Sequence, residues 1–469
     1  MKKTLLFAFA VCLAVGFVST VQGQQKPNII LIFTDDQGYA DVGCYGGKGF
    51  KTPHIDKMAK EGIRFDSFYS GCPVCSGSRA ALLTGRHYRR VGIPAVMFPG
   101  NKNGMNLNEI TIADLLQKAG YHTACIGKWH LGHMPQFLPM KRGFDMYYGI
   151  PYSNDMAIDP KSAKFAEGVV FREGQTLESA KKKGIRNKVP LFRGDEIIEY
   201  PVDQSLLTKR YTEEAQKFIR DHKKDGPFFL YLPHTMCHVP LYASKDFKGR
   251  TKTKFGDVIE ELDWSVGEIL NTVKDCGIDD NTLVIFTTDN GAHQGSSGPL
   301  RAKKASMYEG GVRVPFIARW PGKIPAGKKT DEVAATIDML PTLAKIAGTK
   351  APTDRKIDGK DISDLLFAKA GAKSPHEFYI LEHSRGGTSG SVRGGKWKYY
   401  PWPEGKGKKK KKNQPPPKGP KVQLYDLEKD LGEKNNVAEM FPDVVARMQE
   451  AYENHVADLK KNKLPMKMQ

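Results

Sequence analysis

The chain has 469 residues, 40% of them hydrophobic and 26% charged, with 72 Lys and Arg against 52 Asp and Glu for a net charge of +20. That composition excludes a disordered or fibrous protein, and the length accommodates one large domain with a smaller one, or two to three ordinary ones. Seven cysteines scattered along the chain are too sparse for a disulfide framework.

The N-terminus differs from the rest. Lys2 and Lys3 precede an apolar run over residues 5–18, and Val21-Gln22-Gly23 offers a small-residue cleavage site. Residues 1–23 read as a signal peptide cut near Gly23, so the mature protein is expected to be periplasmic or secreted. The run is too short for a membrane span, and no later segment approaches the ~20 apolar residues a span needs.

Residues 28–34 (NIILIFT) are the first of four short apolar runs of the kind buried on both faces of a parallel sheet, and they end in Asp35-Asp36. Residues 72–86 (CPVCSGSRAALLTGR) predict a helix that opens around Ser76 to Ser78 and ends at Gly85; a helix start of this kind favours an anion. Cys72 and Cys75 have no second C-x-x-C to complete a zinc site. A helix over 111–119 leads to the second strand, 123–127, which ends in Lys128-Trp129-His130. Residues 156–203 carry no readable pattern. The third strand, 228–232, runs into Pro233-His234 and then His238, and a helix over 257–274 precedes the fourth, 282–288, which ends in Asp289-Asn290. Alternating strands and helices make this an α/β chain.

Ligand crevices of open parallel sheets lie beyond the carboxyl ends of the strands. Four strands here deliver acids, a lysine and histidines to that edge, which points to a site. Asp35, Asp36, Asp289 and Asn290 offer only hard oxygen donors, which suit one Ca²⁺ or Mg²⁺ ion and not Zn²⁺.

Short strands at 378–381, 391–400 and 423–426 and a closing helix at 437–459 predict a smaller subdomain over 374–469, its first strands antiparallel, after a large domain over 24–373. Within it, residues 404–421 hold eight lysines, one glutamate and three consecutive prolines, a solvated insertion that cannot pack a core. An exported protein meets anionic polysaccharide sooner than nucleic acid, so no nucleic-acid partner is expected. Cys44, Cys125 and Cys276 are expected to be small buried apolar residues.

From Cys75 the sequence reads Cys75-Ser76-Gly77-Ser78-Arg79-Ala80-Ala81-Leu82-Leu83-Thr84-Gly85-Arg86, which resembles the C-x-P-S-R-x-x-L-x-T-G-R signature of the formylglycine-dependent sulfatases. PNIILIFTDDQGYADVGCYG from Pro27, GKWHLG at 127–132, GIPYSND at 149–155, FFLYLPHTMCHVP at 228–240, VIFTTDNG at 284–291, YEGGVRVPFIARWPG at 308–322 and QLYDLEKD at 423–430 come in the order of the arylsulfatase A and N-acetylgalactosamine-6-sulfatase branch. There are departures. Gly77 stands where the family usually has Pro, Cys237 replaces a common Pro, and Ala302-Lys303-Lys304 replaces Gly-Gly-Lys, which leaves Lys304 as the aligned lysine.

The resemblance implies an alkaline-phosphatase-like fold, with a large mixed, mostly parallel sheet flanked by helices and a smaller C-terminal antiparallel sheet. It implies hydrolysis of a sulfated carbohydrate or aryl sulfate, with Cys75 converted to formylglycine by a formylglycine-generating enzyme. The hydrated aldehyde would attack sulfur with one hydroxyl and expel sulfate with the other, which a serine could not do. By the same resemblance, Asp35, Asp36, residue 75, Asp289 and Asn290 hold the Ca²⁺ or Mg²⁺ ion, Arg79 and Lys128 stabilise the nucleophile, and His130 assists the elimination. His238, Lys304, Lys128 and Ser153 contact the sulfate, with His238 and Lys304 also serving the leaving oxygen. Two alternatives stay open: a phosphodiesterase or phosphonate hydrolase with the same nucleophile, and a glycan-binding protein in which Cys75 remains a thiol.

Overall fold

A computed structural model describes residues 26–93, 96–100, 102–158, 163–182, 188–382, 390–401 and 422–465. The expected signal peptide and the lysine-rich insertion lie outside these residues. The centre of the molecule is five parallel strands in the spatial order Thr282–Thr288, Asn28–Thr34, Phe228–Pro233, His122–Ile126 and Met146–Gly149. Asn28–Thr34 and Thr282–Thr288 are buried at every position, as their uninterrupted apolar runs require. Apolar clusters cover both faces. One contains Ile29, Leu31 and Phe33 with Leu82 and Leu83, and the other contains Ile30 and Ile32 with Phe218 and Ile269.

The sheet is larger than the four predicted strands and is mixed at its margins. Phe316–Arg319 pairs antiparallel with Thr282–Thr288 on one side, followed by Ile63–Phe65 and Lys328–Thr330. On the other side lie Leu191–Arg193, Glu196–Tyr200 and Lys164–Phe171, which brings the total to eleven strands. These last three correct the reading of 156–203 as patternless. Leu191–Arg193 and Glu196–Tyr200 are short, Lys164–Phe171 is longer but has no fully buried position, and the turn Gly194-Asp195 between the first two is the local sign of the hairpin.

A second sheet takes Tyr379–Glu382, Gly390–Gly394, Trp397–Tyr400 and Gln423–Asp426 in chain order, every neighbour antiparallel. The expected single strand over 391–400 is thus two, because Gly395 adopts φ 52° and turns the chain back on itself. The expected helix at 437 is first a 3-10 turn, Ala438–Met440, and the long helix Pro442–Lys461 starts at its proline, whose missing N–H costs nothing at the first helical position. That helix lays Met448 and Tyr452 against Val392, Tyr399 and Leu424.

The helix expected to open at Ser76 to Ser78 instead starts at Cys75 and runs to Thr84, with Gly85 at φ 64° closing it. Ser76 is not its cap, because its hydroxyl accepts a bond from the Met97 amide at 3.0 Å. Cys125 is buried, whereas Cys44, within the 3-10 turn Gly43–Tyr45, and Cys276, which follows the helix Lys254–Asp275, are only half-buried, which corrects the expectation for those two. The six described cysteines are all free thiols.

Candidate active site

Because the central strands run parallel, the residues that follow them lie along one edge of the sheet. Asn28–Thr34 delivers Asp35 and Asp36, the latter in a left-handed conformation with φ 57°. Thr282–Thr288 delivers Asp289 and Asn290, and the two ends are tied: the Asp36 amide donates to Asp289 Oδ1 at 3.1 Å and Asn290 Nδ2 to Asp36 Oδ1 at 2.8 Å. All four residues are fully buried.

Cys75, first residue of its helix, meets this cluster. Its Sγ is 3.6 Å from Asp35 Oδ1 and 3.4 Å from Lys304 Nζ. Ligand atoms of Asp35, Asp36 and Cys75 all lie within 4.8 Å of one another. Asp289 does not join that compact group; it faces Arg79. Three cations balance the three carboxylates. Arg79 Nη2 lies 2.9 Å from Asp289 Oδ2 and 3.1 Å from Asp35 Oδ2, Lys128 Nζ pairs with Asp35 Oδ2, and Lys304 Nζ lies 2.7 Å from Asp36 Oδ1.

These pairings dictate the protonation states. Burial alone would raise the Asp35 carboxyl, but Lys128 and Arg79 hold it well below the ordinary carboxylate range. Asp289, buried and facing the negative Asp35, is pushed up to about 7. Burial would lower Lys304, yet Cys75, Asp36 and Asp35 hold it above the usual lysine value, so it stays charged. Burial pushes the Cys75 thiol far up, so the unmodified sulfur is a poor nucleophile here.

The residues fit a hard divalent cation. Asn290 Oδ1 is buried without a hydrogen-bond partner, its amide nitrogen bonded to Asp36 Oδ1, and Asp35 Oδ1 has only the Cys75 sulfur as a hydrogen-bond partner, which leaves two hard oxygens with free lone pairs.

Two histidines complete the site, and each has its tautomer set by a partner. His130 Nε2 lies 3.0 Å from the Met97 carbonyl and must donate to it, which leaves Nδ1 as a buried lone pair without a partner. His238 Nδ1 lies 2.6 Å from the Val239 carbonyl and 3.1 Å from Asn154 Oδ1, so Nδ1 is the donor there and Nε2 is left 3.8 Å from Asp36 Oδ2. Burial, then the Lys128 charge, lowers both imidazoles, so both are neutral near pH 7. Ser153 Oγ accepts from Lys128 Nζ at 3.2 Å and sits 3.4 Å from His238 Nε2. Contacts thus link Asp35, Asp36, Cys75, Arg79, Lys128, Ser153, His238, Asp289, Asn290 and Lys304, whereas the His130 ring is hydrogen-bonded only to Met97 and feels the cluster through the charges of Lys128, Arg79 and Asp35.

Several neighbours escaped the sequence reading. Asn154, which Gln204 holds by two bonds, orients His238, and its only signal was its place beside Ser153. The Met97 carbonyl, which fixes His130, had no signal at all. His234 is buried and bonded to Ser265 Oγ at 3.2 Å, away from the cluster, and Lys303 donates to the Gly295 carbonyl at the surface.

Known proteins resemble this chain in sequence and fold. The Sulfatase family model matches residues 27–349. The chain is 38% identical over 408 residues to rat (Rattus norvegicus) N-acetylgalactosamine-6-sulfatase, covering 81% of this chain and 72% of that protein, and 37% identical over 461 residues to human (Homo sapiens) arylsulfatase A, covering 93% and 86%. The crystal structure of the PsFucS1 sulfatase from Pseudoalteromonas sp. superposes with a TM-score of 0.79 at 29% identity, over 94% of this chain and 92% of that one. The mostly parallel sheet with a small antiparallel C-terminal sheet is the alkaline-phosphatase-like fold, and the chain belongs to the sulfatase family of sulfuric ester hydrolases.

Proposed function

We propose that the protein is an exported sulfatase that releases inorganic sulfate from a sulfated carbohydrate, with formylglycine derived from Cys75 as nucleophile and one Ca²⁺ ion beside it. The observation that carries this reading is Cys75 itself: a fully buried cysteine at a helix start, 3.4 Å from a lysine held charged and 3.6 Å from a carboxylate held ionised. Burial keeps the thiol protonated in spite of Lys128 and Lys304, whereas a hydroxyl nucleophile that attacks a sulfuryl group would use both a carboxylate and an ammonium at that range. The aldehyde would supply, as its hydrate, a hydroxyl whose sulfated form collapses without attack by water, and the cation would neutralise part of the developing charge.

The remaining chemistry belongs to the chain. Asp35, Asp36, Asn290 and Asp289 would supply oxygen donors for the cation, and Asp289, which faces Arg79 beside the compact group, would also accept a proton. Arg79 and Lys128 hold the carboxylates at fixed geometry and present positive charge toward residue 75. His130 offers a bare Nδ1 to take the proton that leaves residue 75 when sulfate departs. Lys304 and His238 serve the leaving oxygen, and Ser153 joins Lys128 to His238. We further propose residues 24–373 as the catalytic unit. Residues 1–23 would act as the export signal; among the described residues no helix is long and apolar enough to cross a membrane.

The test is sulfate release from N-acetylgalactosamine-6-sulfate and a panel of other sulfated monosaccharides, set beside a phosphodiester, together with the mass of the tryptic peptide that contains residue 75. Formylglycine at 75 with sulfate release supports the proposal. An unmodified thiol, or a higher rate on the phosphodiester, overturns it.

A further inference from the structure

The loop that carries Lys304 is strained and is held from outside. Ala302 and Ala305 flank the Lys303-Lys304 pair with φ of 63° and 67°, left-handed conformations that cost a non-glycine residue about 1 kcal/mol each. Two backbone bonds tie the loop to the large domain, Lys304 N to the Ala292 carbonyl and Ala305 N to the Pro73 carbonyl, both at 2.9 Å. Its two flanks are gripped by the C-terminal segment. Arg301 donates to the Glu433 carbonyl at 2.8 Å and to the Tyr425 hydroxyl at 3.1 Å, and Tyr308 donates to Gln423 Oε1 at 2.9 Å. The Tyr400 hydroxyl lies 3.1 Å from the Met307 carbonyl and also contacts Glu433 Oε1, its one proton serving one of the two at a time, while Glu433 Oε2 accepts from the Glu309 amide at 2.9 Å.

Glu433 is the centre of that grip. It is fully buried, itself left-handed at φ 53°, and touches both ends of the loop, the Arg301 end through its carbonyl and the Glu309 end through its carboxyl. The Glu309 carboxyl is in turn held by Lys398 at 3.0 Å and Tyr69 at 2.8 Å. Buried polar bonds of this kind are costly to leave unmade, so the clamp resists relaxation of the loop between them. It also accounts for Gln423 and Tyr425 of the QLYDLEKD motif, which lie far along the chain from every site residue.

We propose that Glu433 is a positioning residue for catalysis: it fixes the strained 301–309 loop so that the Lys304 ammonium stays between Asp36 and residue 75. The inference rests on the role assigned above to Lys304 at the leaving oxygen. The C-terminal sheet is thereby part of the catalytic apparatus although, among the described residues, none of its side chains contacts Cys75, Asp36 or Lys304.

Four proteins test it: wild type, Lys304→Ala, Glu433→Ala and the double variant, assayed for kcat/KM on an alkyl sulfate with a basic leaving oxygen and on nitrophenyl sulfate. Glu433→Ala should lower kcat/KM on the alkyl sulfate by about tenfold or more and on nitrophenyl sulfate by less, because the better leaving group needs less help; in the Lys304→Ala background the loss should shrink to about twofold or less. Glu433→Gln, whose amide can still accept from Glu309 N–H and pair with Tyr400, should restore most of the activity. An equal loss in both backgrounds and on both substrates would make Glu433 merely structural and overturn the proposal. If Lys304→Ala alone were without effect, the role of Lys304 would fail instead, which is a separate outcome. Should Glu433→Ala not fold, Tyr400→Phe removes one of the same bonds and must show the same dependence on Lys304, or the proposal is overturned.

Discussion

Arg79 and Asp289 face each other across the closed end of the site, Nη2 to Oδ2 at 2.9 Å, with both side chains fully buried. The same nitrogen reaches Asp35, and Nη1 donates to the Lys128 carbonyl at 3.1 Å, so one guanidinium holds three strand ends in register. Removing one partner from a buried ion network leaves the other charges uncompensated, at a typical cost of about 3–5 kcal/mol. Arg79→Ala should therefore lower the melting temperature sharply as well as abolish sulfate release. Arg79→Lys should recover part of the stability but little activity, because one ammonium cannot reproduce the fork. A thermally unperturbed Arg79→Ala protein would show the network to be dispensable for the fold.

The divalent cation makes a second prediction. Binding to the folded state alone stabilises it by mass action, by about 2.7 kcal/mol at a hundred times Kd. Chelator should thus lower the melting temperature of the wild type, and added Ca²⁺ should restore it. Asp36→Ala removes a carboxylate from the compact group with Asp35 and residue 75, so its melting temperature should no longer respond to either reagent. Equal melting curves for the wild type with and without chelator would remove the ion from the site.

Much of the site was legible because its residues sit at strand ends. A run such as residues 282–288 announces itself by continuous apolarity, and the pair immediately after it, Asp289-Asn290, is then placed by topology alone. The half-exposed strands over 164–200 lacked such a run. The clamp around Lys304 was invisible for a different reason: Glu433 meets Glu309 across 124 positions, and no local pattern encodes a contact of that range. Tautomers were equally unreadable, since they depend on carbonyls such as that of Met97, and every residue has one.

Gly77, the departure from the family signature, has a structural counterpart. A Cβ there would lie 2.5 Å from Cys72 Sγ and 3.2 Å from the Tyr88 ring, so Cys72 fills the space that a side chain at 77 would need. Gly77→Ala should gain up to about 1 kcal/mol of helix propensity but lose more, on the order of 1–3 kcal/mol, to overpacking. Combining it with Cys72→Ala should recover stability beyond that of Gly77→Ala alone. The two substitutions would then be coupled, and strictly additive melting temperatures would count against the steric explanation.

The last prediction concerns acid. His87, just past the helix Cys75–Thr84, meets His455 of the helix Pro442–Lys461 edge to face, with ring centroids 5.3 Å apart and both Nε2 atoms buried without partners. Burial lowers both imidazoles, each further depressed by Arg90, with His455 falling to about 4 and His87 well below its ordinary value. Asp358 and Asp458 face His455 and oppose the shift without cancelling it. Both rings are neutral in the folded protein but take up protons in the unfolded chain below about 6.5, so the unfolded state binds more protons and stability rises with pH in this window. The contribution is complete above pH 6.5 and is lost as pH falls toward 4. Asp458, lowered to about 2, changes stability only below the unfolded carboxylate value and so does not mask the effect. Carboxyls that burial raises, such as Asp263 to about 7 and Asp41 to about 6, act in the opposite sense, and against them each histidine should contribute to the melting temperature between pH 7 and 4 a decline equivalent to about 1–2 kcal/mol at pH 5. His455→Gln, which cannot take up a proton, should flatten that decline while leaving the pH 7 melting temperature within a few degrees of wild type. A wild-type slope retained in His455→Gln would mean that the pH response comes from other groups.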